Sequence, residues 1–384
     1  MIRNSARTTA RLSLLYFFIY CPLGALCPLI SQYLSSIGFS GTQVGIITSL
    51  GTATAFFAGI FWGDVYSNAK HKRMILAGMC LAAAALALAG SGIKGFLLYM
   101  LVYCCMYFFQ SPLHGLCDSL VLGKDGSFPV IRAFGAVGYA VCVLITGEIC
   151  DTSGLHMLFY VYASTFVISM VLLFREEEPE TTVKREEKIR ISALLKQKEF
   201  IRLTISAFFV MGTSVAHNTY FGFLFRDGGG DVSGIGLAFM LMCGSEAVFM
   251  ILIPGMTKKF PAEKLILFAM ILSACRFGFY ATGPSSAMLL ATFFLQGIAN
   301  GILLVELIKY VNFLVEPKYS SAAIAVFYAV ASNLSVIVCN FVGGIILDVA
   351  GAGMVYAFYS LYNVAAAVLY VVFGLHKDKI YQKK

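Results

Sequence analysis

Charged residues are scarce in this chain of 384 residues, and their scarcity excludes most soluble classes of protein. Only 12% of the residues are charged and 59% are hydrophobic, whereas a typical soluble domain carries about 25% charged residues. Too little polar surface is available to cover a water-facing domain, and disordered, coiled-coil, collagen-like and disulfide-scaffold classes fail on the same composition. Together with a mean hydropathy of +0.83, this composition predicts a polytopic membrane protein.

The sequence also lacks several motifs of soluble chemistry. It contains no CxxC pair, no GxxxxGK[ST] phosphate loop, and neither HExxH nor GxSxG, so no ATP motor, zincin or serine hydrolase is indicated. Most of the 11 cysteines lie in apolar runs, where cysteine behaves as a small hydrophobe. We therefore expect no enzymatic activity, no cofactor and no metal. The net charge of +8 is spread over short loops, which indicates membrane orientation rather than nucleic-acid binding.

Hydrophobic stretches long enough to cross a bilayer, about 20 residues each, occur twelve times. No charge appears in residues 12–63, which is room for two spans, so the first stretch is predicted to be a helix and not a cleaved signal peptide. A charge-rich segment separates six spans from six, which predicts a bundle over 1–174, a cytoplasmic linker over 175–200 and a bundle over 201–384. The twelve predicted helices are 12–35, 43–64, 74–92, 95–122, 129–149, 155–174, 202–225, 233–256, 264–282, 286–315, 319–347 and 353–375.

Lysine and arginine are distributed unevenly between the predicted loops. If both termini are cytoplasmic, 23 of the 28 basic residues lie on the inner side, three lie within helices, and only Lys94 and Arg226 lie outside. This bias predicts an N-in, C-in protein of the cytoplasmic membrane. Each bundle already has a partner in the other half, so we expect a monomer in the lipid bilayer.

The two halves of the sequence resemble each other. Three matches occur in the same order, at offsets close to half the chain length, and such a parallel repeat is typical of two-bundle transporters. The matching segments are Gly45-Ile-Ile with Gly236-Leu-Ala, Lys72-Arg-Met-Ile-Leu with Glu263-Lys-Leu-Ile-Leu, and Gly147-Glu-Ile-Cys-Asp151 with Gly344-Ile-Ile-Leu-Asp348.

Ionisable residues inside predicted spans are candidate functional groups, because each costs about 2.5–3.5 kcal/mol at the bilayer centre. Asp118 and Arg132 flank the short turn between helices 4 and 5, where they can pair across the hairpin. Two readings stay open for them: an ion pair that holds the hairpin, or contact with solute or a gate.

Two further pairs lie in the second half. Glu246 and Arg276 are both predicted near the membrane midplane, where a proton arriving on Glu246 would release Arg276; the alternative is a permanent salt bridge. Glu306 and Lys309 lie three residues apart on one helix and can touch on one face, either as a structural pair or as a gate.

A polar island interrupts helix 7. His217, Asn218, Thr219 and Tyr220 supply four hydrogen-bonding groups in one turn, which favours contact with a solute over packing. Close helix approach is expected at Gly135 and Gly138, because small residues permit it. Intramembrane amides more often join helices by hydrogen bonds; they are Gln296, Asn300, Asn333 and Asn340.

With the repeat and these charges in place, the chain resembles the major facilitator superfamily, and more narrowly its lactose permease and nucleoside–proton symporter branch. Gly63-Asp64 followed by Lys70-His-Lys72-Arg73 is similar to the superfamily's signature loop between helices 2 and 3. The resemblance implies two six-helix bundles that rock about a central site.

The branch also implies roles for individual residues. The segment from Arg132 to Tyr139 is similar to a helix 5 motif in which an arginine binds sugar and an aromatic residue stacks against it, and Asp118 falls where the branch often places an acid. Arg276 keeps the spacing from Pro254 of the coupling arginine of helix 9, and Glu246 resembles the acid of helix 8. Where the permease has a histidine and a glutamate for proton translocation, this chain has Gln296 and Ala299, so Glu246 and Glu306 become candidates for a relocated proton site.

These observations predict a secondary transporter that moves a small polar organic solute, such as a nucleoside, a saccharide or an aromatic acid, by alternating access with protons as co-substrate. Asp118, Arg132, Tyr139, Gln296 and the island of helix 7 would bind the solute. Uncoupled diffusion, a proton-driven multidrug or metabolite exporter, a receptor without flux and an intramembrane enzyme are the alternatives, the last the weakest because no catalytic constellation is visible.

Overall fold

Helices account for all the regular secondary structure of residues 2–122, 127–176, 194 and 197–377, which are the residues that the computed structural model describes. In chain order the α-helices are α1 Ile2–Leu26, α2 Ile30–Ser36, α3 Gly41–Asn68, α4 Lys72–Gly90, α5 Phe96–Gln110, α6 Leu113–Leu122, α7 Phe128–Ser153, α8 Met157–Phe174, α9 Lys198–Asp227, α10 Val232–Met256, α11 Ala262–Ala281, α12 Ser286–Thr292, α13 Phe294–Leu314, α14 Ser320–Phe327 and α15 Ser335–Val372. A 3₁₀ turn covers Pro317–Tyr319, and a π-helix covers Tyr328–Leu334.

Eleven helical stretches in this part of the chain are long and apolar enough to cross a membrane. The last, Ala322–Val372, has 51 residues and covers most of two predicted spans, 319–347 and 353–375. Gly351 separates them, because its backbone (φ 81°, ψ 174°) is not helical and glycine adopts such angles without steric cost. The predicted all-α polytopic fold is confirmed, and dividing the last stretch at Gly351 accounts for twelve crossings.

Several predicted spans are interrupted where the sequence analysis expects one helix. A turn containing Pro28 separates α1 from α2, and one containing Pro112 separates α5 from α6, since proline cannot donate the backbone hydrogen bond that a helix interior requires. The first helix also begins at Ile2 rather than near residue 12, because arginine is a good helix former and the helix continues through the polar residues that precede the apolar span.

The contacts divide the chain into two compact units. Unit 1 comprises Met1–Phe39, Leu50–Glu186 and Val232–Met240, and unit 2 comprises Ser40–Ser49, Glu187–Asp231 and Leu241–Lys384. The start of α3 therefore packs within unit 2, and the start of α10 packs within unit 1. Of the predicted linker, 175–200, residues 177–193 and 195–196 lie outside the described residues.

Unit 1 is organised around the contact of α1 with α7, where glycines allow the two backbones to approach. A Cβ atom at Gly135 would lie 2.7 Å from the ring of Tyr20, and one at Gly138 would collide with the carbonyl oxygen of Phe17. The predicted close approach at these glycines is confirmed. It places the side chains of α1 directly beside those of α7.

Unit 2 is built on α15, which packs against α9 and α11. Ser335 at the start of α15 donates a hydrogen bond to the carbonyl of Phe208 in α9, and Ser360 donates to the carbonyl of Ala274 in α11 at 2.9 Å. Serine hydroxyls that bond to a neighbouring backbone are a recurrent way of joining membrane helices. The π-helix leads directly into α15, so it sets the rotation of this central helix.

The sequence repeat reappears as two matching helix caps. In unit 2 the Asp348 carboxylate accepts hydrogen bonds from the backbone N–H groups of Gly41 at 2.5 Å and Thr42 at 2.8 Å, at the start of α3. In unit 1 Asp151 accepts one from the N–H of Val232 at 3.2 Å, at the start of α10. The first N–H groups of a helix have no partner within it and attract negative charge, so each aspartate completes a helix that begins in the opposite half of the sequence.

These two caps differ in strength, and we expect substitution to reveal it. Asp348→Ala removes two short charge-assisted hydrogen bonds and should lower the free energy of unfolding by roughly 1–3 kcal/mol, whereas Asp151→Ala removes one longer bond and should cost less. Thermal unfolding of the purified variants in one detergent measures the difference. A larger loss for Asp151→Ala would contradict this ranking.

Candidate functional site

Asp118 of α6 and Arg132 of α7 do not form an ion pair with each other within 4.0 Å, although the sequence places them where they could. Asp118 instead accepts a hydrogen bond of 2.6 Å from the hydroxyl of Tyr16 in α1. Tyr16 is fully buried, so the carboxylate is held by the core of unit 1. The hairpin ion pair, one of the two readings of these residues, is absent from the described structure.

Arg132 stacks on an aromatic ring of α1. Its guanidinium carbon lies 4.6 Å from the ring centroid of Tyr20, a cation–π contact, and the imidazole of His114 in α6 lies against the same ring with centroids 4.5 Å apart. Arg132 is exposed. The Tyr20 hydroxyl and the His114 Nε2 atom have no hydrogen-bond partner among the described residues, so this cluster carries unused hydrogen-bonding groups beside a cation.

Tyr139 lies on α7 about two turns beyond Arg132 and is partly buried. Its backbone carbonyl packs against Gly24 of α1, so α1 lies beside the segment that the sequence analysis assigns to solute binding. We call Tyr20, His114, Asp118 and Arg132 the unit 1 cluster. Its members lie on three separate helices, and the hydrogen bond from Tyr16 holds the Asp118 carboxylate in place.

Arg276 of α11 is a buried cation of unit 2, only 3% exposed. Its guanidinium lies over the rings of Phe277, at 4.3 Å, and Tyr280, at 4.8 Å. One nitrogen, Nη2, donates a hydrogen bond to the side-chain oxygen of Gln296 in α13. The Nε and Nη1 atoms have no partner among the described residues, so the group keeps donors in reserve.

Glu246 of α10 and Arg276 form no direct ion pair within 4.0 Å; two amides connect them. Gln296 donates to the side-chain oxygen of Asn300 at 3.1 Å, and Asn300 donates to the carboxylate of Glu246 at 3.4 Å. The structure therefore brings both predicted partners into one chain of hydrogen bonds. We call Glu246, Asn300, Gln296 and Arg276 the amide relay.

The polar island of α9 lies largely in the interior of unit 2. His217 is fully buried and shares a hydrogen bond of 2.7 Å between its Nδ1 atom and the hydroxyl of Tyr356, and Tyr220, also fully buried, donates to the backbone carbonyl of Asn340. Asn218 is partly exposed. His217 and Tyr220 thus have partners within the unit, and of this island Asn218 is the better placed for a solute.

Glu306 and Lys309 make the predicted contact on α13. Lys309 Nζ lies 2.7 Å from the Glu306 carboxylate, and the two side chains are 48% and 0% exposed respectively. Lysine reaches out while its charge neutralises a buried acid, as long basic side chains do at membrane boundaries.

The signature loop is held by Glu176, a residue about 100 positions further along the chain. Gly63 and Asp64 lie near the end of α3, and Lys72 and Arg73 begin α4. Arg73 donates at 2.7 Å to the backbone carbonyl of Glu176. The buried Glu176 carboxylate also pairs with Arg11 of α1, at 2.7 Å from Nε and 3.0 Å from Nη2.

The sequence carries no signal that marks Tyr16, Tyr20 or Glu176 as part of these sites, and it marks Asn300 only as an amide that can join helices. Tyr16 and Tyr20 resemble any other aromatic of an apolar helix, and Glu176 is one acid among many in the charged segment. Asn300 is visible as an amide one turn after Gln296, a spacing that places the two on one helix face. Its partner Glu246 lies on another helix, and only the fold brings them together.

The comparison with protein families matches residues 9–358 to the MFS_1 like family. The chain belongs to this family. It is therefore a multi-pass membrane transporter of the major facilitator superfamily and not an enzyme.

Relatives of this MFS_1-like transporter include carriers of different solutes. It is 31% identical over 366 residues to a maltose permease of Geobacillus stearothermophilus, covering 93% of this chain and 92% of the relative. It is 25% identical over 333 residues to the putative nucleoside transporter YegT of Escherichia coli, covering 80% of this chain and 76% of the relative.

Solved structures share the fold at lower identity. The nucleoside transporter NupG, as a D323A mutant, superposes with a TM-score of 0.84 at 17% identity and covers 95% of this chain and 99% of its own. A D-xylose–proton symporter gives a TM-score of 0.78 at 12% identity, with 98% and 99% covered. These likenesses establish the fold of the MFS_1-like transporter.

A double substitution distinguishes the two readings of the pair on α13. Lys309→Met leaves the Glu306 carboxylate buried without its cation and should cost roughly 1–3 kcal/mol of stability, less than for a fully buried pair because Lys309 is half exposed. Glu306→Gln with Lys309→Met removes both charges and should restore the thermal unfolding temperature. Normal transport by the double variant would make the pair structural, and lost transport by a stable double variant would make it a gate.

Proposed function

We propose that this MFS_1-like transporter is a proton symporter of a polyhydroxylated solute, a saccharide or a nucleoside, working by alternating access as a monomer in the cytoplasmic membrane. The unit 1 cluster would bind the solute, and the amide relay would couple its movement to a proton. The observation that carries this proposal is the coexistence of an exposed, stacked arginine in one unit with a hydrogen-bonded chain in the other, which links a partly buried acid to a buried arginine.

The chemistry of the unit 1 cluster suits a solute with several hydroxyl groups. Arg132 offers donors in a planar fork and Asp118 offers acceptor oxygens, so adjacent hydroxyls can donate to one and accept from the other. The Tyr20 hydroxyl and His114 Nε2 supply further groups without described partners. Tyr139 follows on the same helix as Arg132, where an aromatic ring can stack on the apolar face of a sugar or on a base.

The relatives support the same solute classes. A maltose permease and a putative nucleoside transporter both match most of this chain. A probable 3-phenylpropionic acid transporter of Escherichia coli, 23% identical over 292 residues, keeps aromatic acids in the panel to be tested. Such an acid would pair with Arg132 and leave Asp118 without a role in binding.

Proton coupling would run through Glu246. An ionisable group inside a membrane protein is a functional candidate by default, and Glu246 is bonded to an amide rather than neutralised by a direct cation. Protonation would remove its charge when solute is bound and so permit the loaded carrier to reorient. Gln296 would take part through the relay, and Glu306, with Lys309 beside it, would keep a separate structural charge.

Arg132→Ala should weaken solute binding without abolishing the fold. Loss of charge-assisted hydrogen bonds worth about 1.5–3 kcal/mol predicts a KM roughly ten- to a hundredfold higher. Uptake of radiolabelled maltose and uridine by expressing cells measures it, with Lys94→Ala, outside the cluster, as the matched loss of a basic residue. An unchanged KM for every transported solute would remove Arg132 from the site.

Glu246→Gln should abolish accumulation but keep exchange. The amide imitates a neutral acid and cannot release a proton, so de-energised cells should no longer alkalinise a lightly buffered medium when solute is added, whereas exchange of labelled for unlabelled solute continues. A pH electrode and a counterflow assay give the two readings. Intact pH-driven accumulation in this variant would refute the coupling role, and ethidium efflux from expressing cells would favour an exporter.

A further inference from the structure

The hydrogen bonds of the amide relay all run in one direction. Arg276 donates to the oxygen of Gln296; the nitrogen of Gln296 donates to Asn300, at 3.1 Å; and the nitrogen of Asn300 donates to Glu246, at 3.4 Å. Each amide therefore presents its oxygen toward the cation and its nitrogen toward the anion. This head-to-tail order is the one that an ionised Glu246 requires, because a carboxylate can only accept.

The middle of the relay has little freedom to do anything else. Gln296 is 0% exposed, and Gly297 and Ala299, which follow it on the same helix, are also buried. The nitrogen of Gln296 makes a second hydrogen bond of 3.3 Å to the backbone carbonyl of Ser214 in α9. Buried amides in a low-dielectric interior must keep partners for both ends. When a group at one end of such a chain changes from acceptor to donor, the amides along the chain must therefore reorient to keep their hydrogen bonds.

The titratable groups that the contacts of the described residues place near the relay lie at its ends. His217 of α9 and Tyr356 of α15 lie near Arg276, with Tyr280 stacked on it from its own helix. Cys243 of α10 lies near Glu246. Glu246 is bonded to Asn300 at one end, and Arg276 is bonded to Gln296 at the other.

We propose that Gln296 and Asn300 form a polarity switch: they convert the protonation state of Glu246 into the engagement or release of Arg276, while the proton itself stays on Glu246. This inference rests on the proposed function, since it takes Glu246 as the proton acceptor. Gln296 and Asn300 act as positioning residues, which transmit a hydrogen-bond direction and carry no charge.

The switch follows from donor and acceptor counting. The switch uses one of the two carboxylate oxygens. A proton from solution forms its O–H bond on the Glu246 oxygen nearest Asn300, and where that O–H points at the Asn300 nitrogen, two donors face each other. Rotating the Asn300 side-chain amide by 180° places its oxygen toward the Glu246 O–H. The same rotation places the Asn300 nitrogen toward the Gln296 nitrogen, so two donors now face each other there. Turning Gln296 over breaks its bond to Ser214 and places its nitrogen against the guanidinium, so Arg276 loses its acceptor.

The freed arginine then needs a new acceptor. Its Nε and Nη1 atoms already have no partner among the described residues, and loss of Gln296 adds Nη2 to them. Any change within unit 2 that gives these donors an acceptor when solute is bound makes protonation and solute binding favour each other. That mutual dependence is the thermodynamic requirement for symport.

Asn300→Leu breaks the relay at its centre while leaving both charged residues in place. Asn333→Leu is the matched control, because Asn333 is a partly buried amide of unit 2 outside the relay. Purified protein is titrated with maltose and with uridine in two buffers of different ionisation enthalpy, and the difference in heat gives the protons taken up per solute bound. The same variants in liposomes give the accumulation ratio under an imposed pH gradient.

We expect the wild type and Asn333→Leu to take up about one proton per solute. Asn300→Leu should bind solute within about threefold of wild type yet take up none, and its accumulation ratio should fall at least tenfold, toward unity. Proton uptake retained by Asn300→Leu would overturn the switch and leave the symport proposal standing. Absence of uptake in the wild type would overturn symport and the switch together.

A spectroscopic test covers the case in which Asn300→Leu fails to fold. Wild-type protein with ¹⁵N-labelled asparagine and glutamine side chains is examined by infrared difference spectroscopy as Glu246 is protonated, with Glu246→Gln as the control. Reorientation of the relay should shift the side-chain amide bands in the wild type and not in the control. A new carboxylic acid band without any shift of the amide bands would overturn the proposal.

Discussion

The almost wholly buried guanidinium of Arg276, on the membrane helix α11, is the constraint on which unit 2 depends. Charge in a low-dielectric interior is tolerated only with hydrogen bonds and a compensating charge. Arg276 obtains the first from Gln296, aromatic faces from its own helix, and the second from Glu246 through Asn300. Hydrogen bonds consequently join α10, α11 and α13 at one point. A change in the charge of Glu246 therefore affects the bonds that hold all three helices together.

Unit 1 treats its own arginine differently. Arg132 is exposed and rests on Tyr20, while Asp118 is occupied by Tyr16. Each of the two charges is thus stabilised by a tyrosine of α1, and the two do not form an ion pair with each other. An arginine and an acid that do not neutralise one another keep their hydrogen-bonding capacity for a ligand, whereas Glu246 and Arg276 of unit 2 are linked through an internal chain of hydrogen bonds.

Much of this architecture is predictable from the sequence, and the parts that are not share a physical cause. Spans, their number and the glycine contacts of α7 follow from hydropathy and residue size, which are local properties. The importance of Glu246 and Arg276 follows from the cost of charge in a membrane. Whether those two meet directly or through amides depends on rotamers and on the rotation of three helices, and no sequence pattern encodes these.

The same limit explains the polar island and the signature loop. Four polar residues in one turn look like a binding surface, but the rotation of α9 turns His217 and Tyr220 into the unit, where Tyr356 and Asn340 satisfy them. Glu176, which holds Arg11 and Arg73, lies in a segment whose composition indicates only a solvated linker. In both cases the deciding partner is distant in sequence, by more than 100 residues.

The π-helix at Tyr328–Leu334 has a consequence for how this protein can change by insertion and deletion. A π turn contains one residue more than the α turn it replaces, and removing that residue would rotate everything beyond it by about 100° and draw it back about 1.5 Å. Asn340, Gly344 and Asp348 all lie beyond it on α15. The contacts of that helix with Tyr220 and with the first turn of α3 therefore depend on chain length within one seven-residue segment. Deletion of a single residue there would leave the identity of every later residue of α15 unchanged, but their side chains would point in different directions.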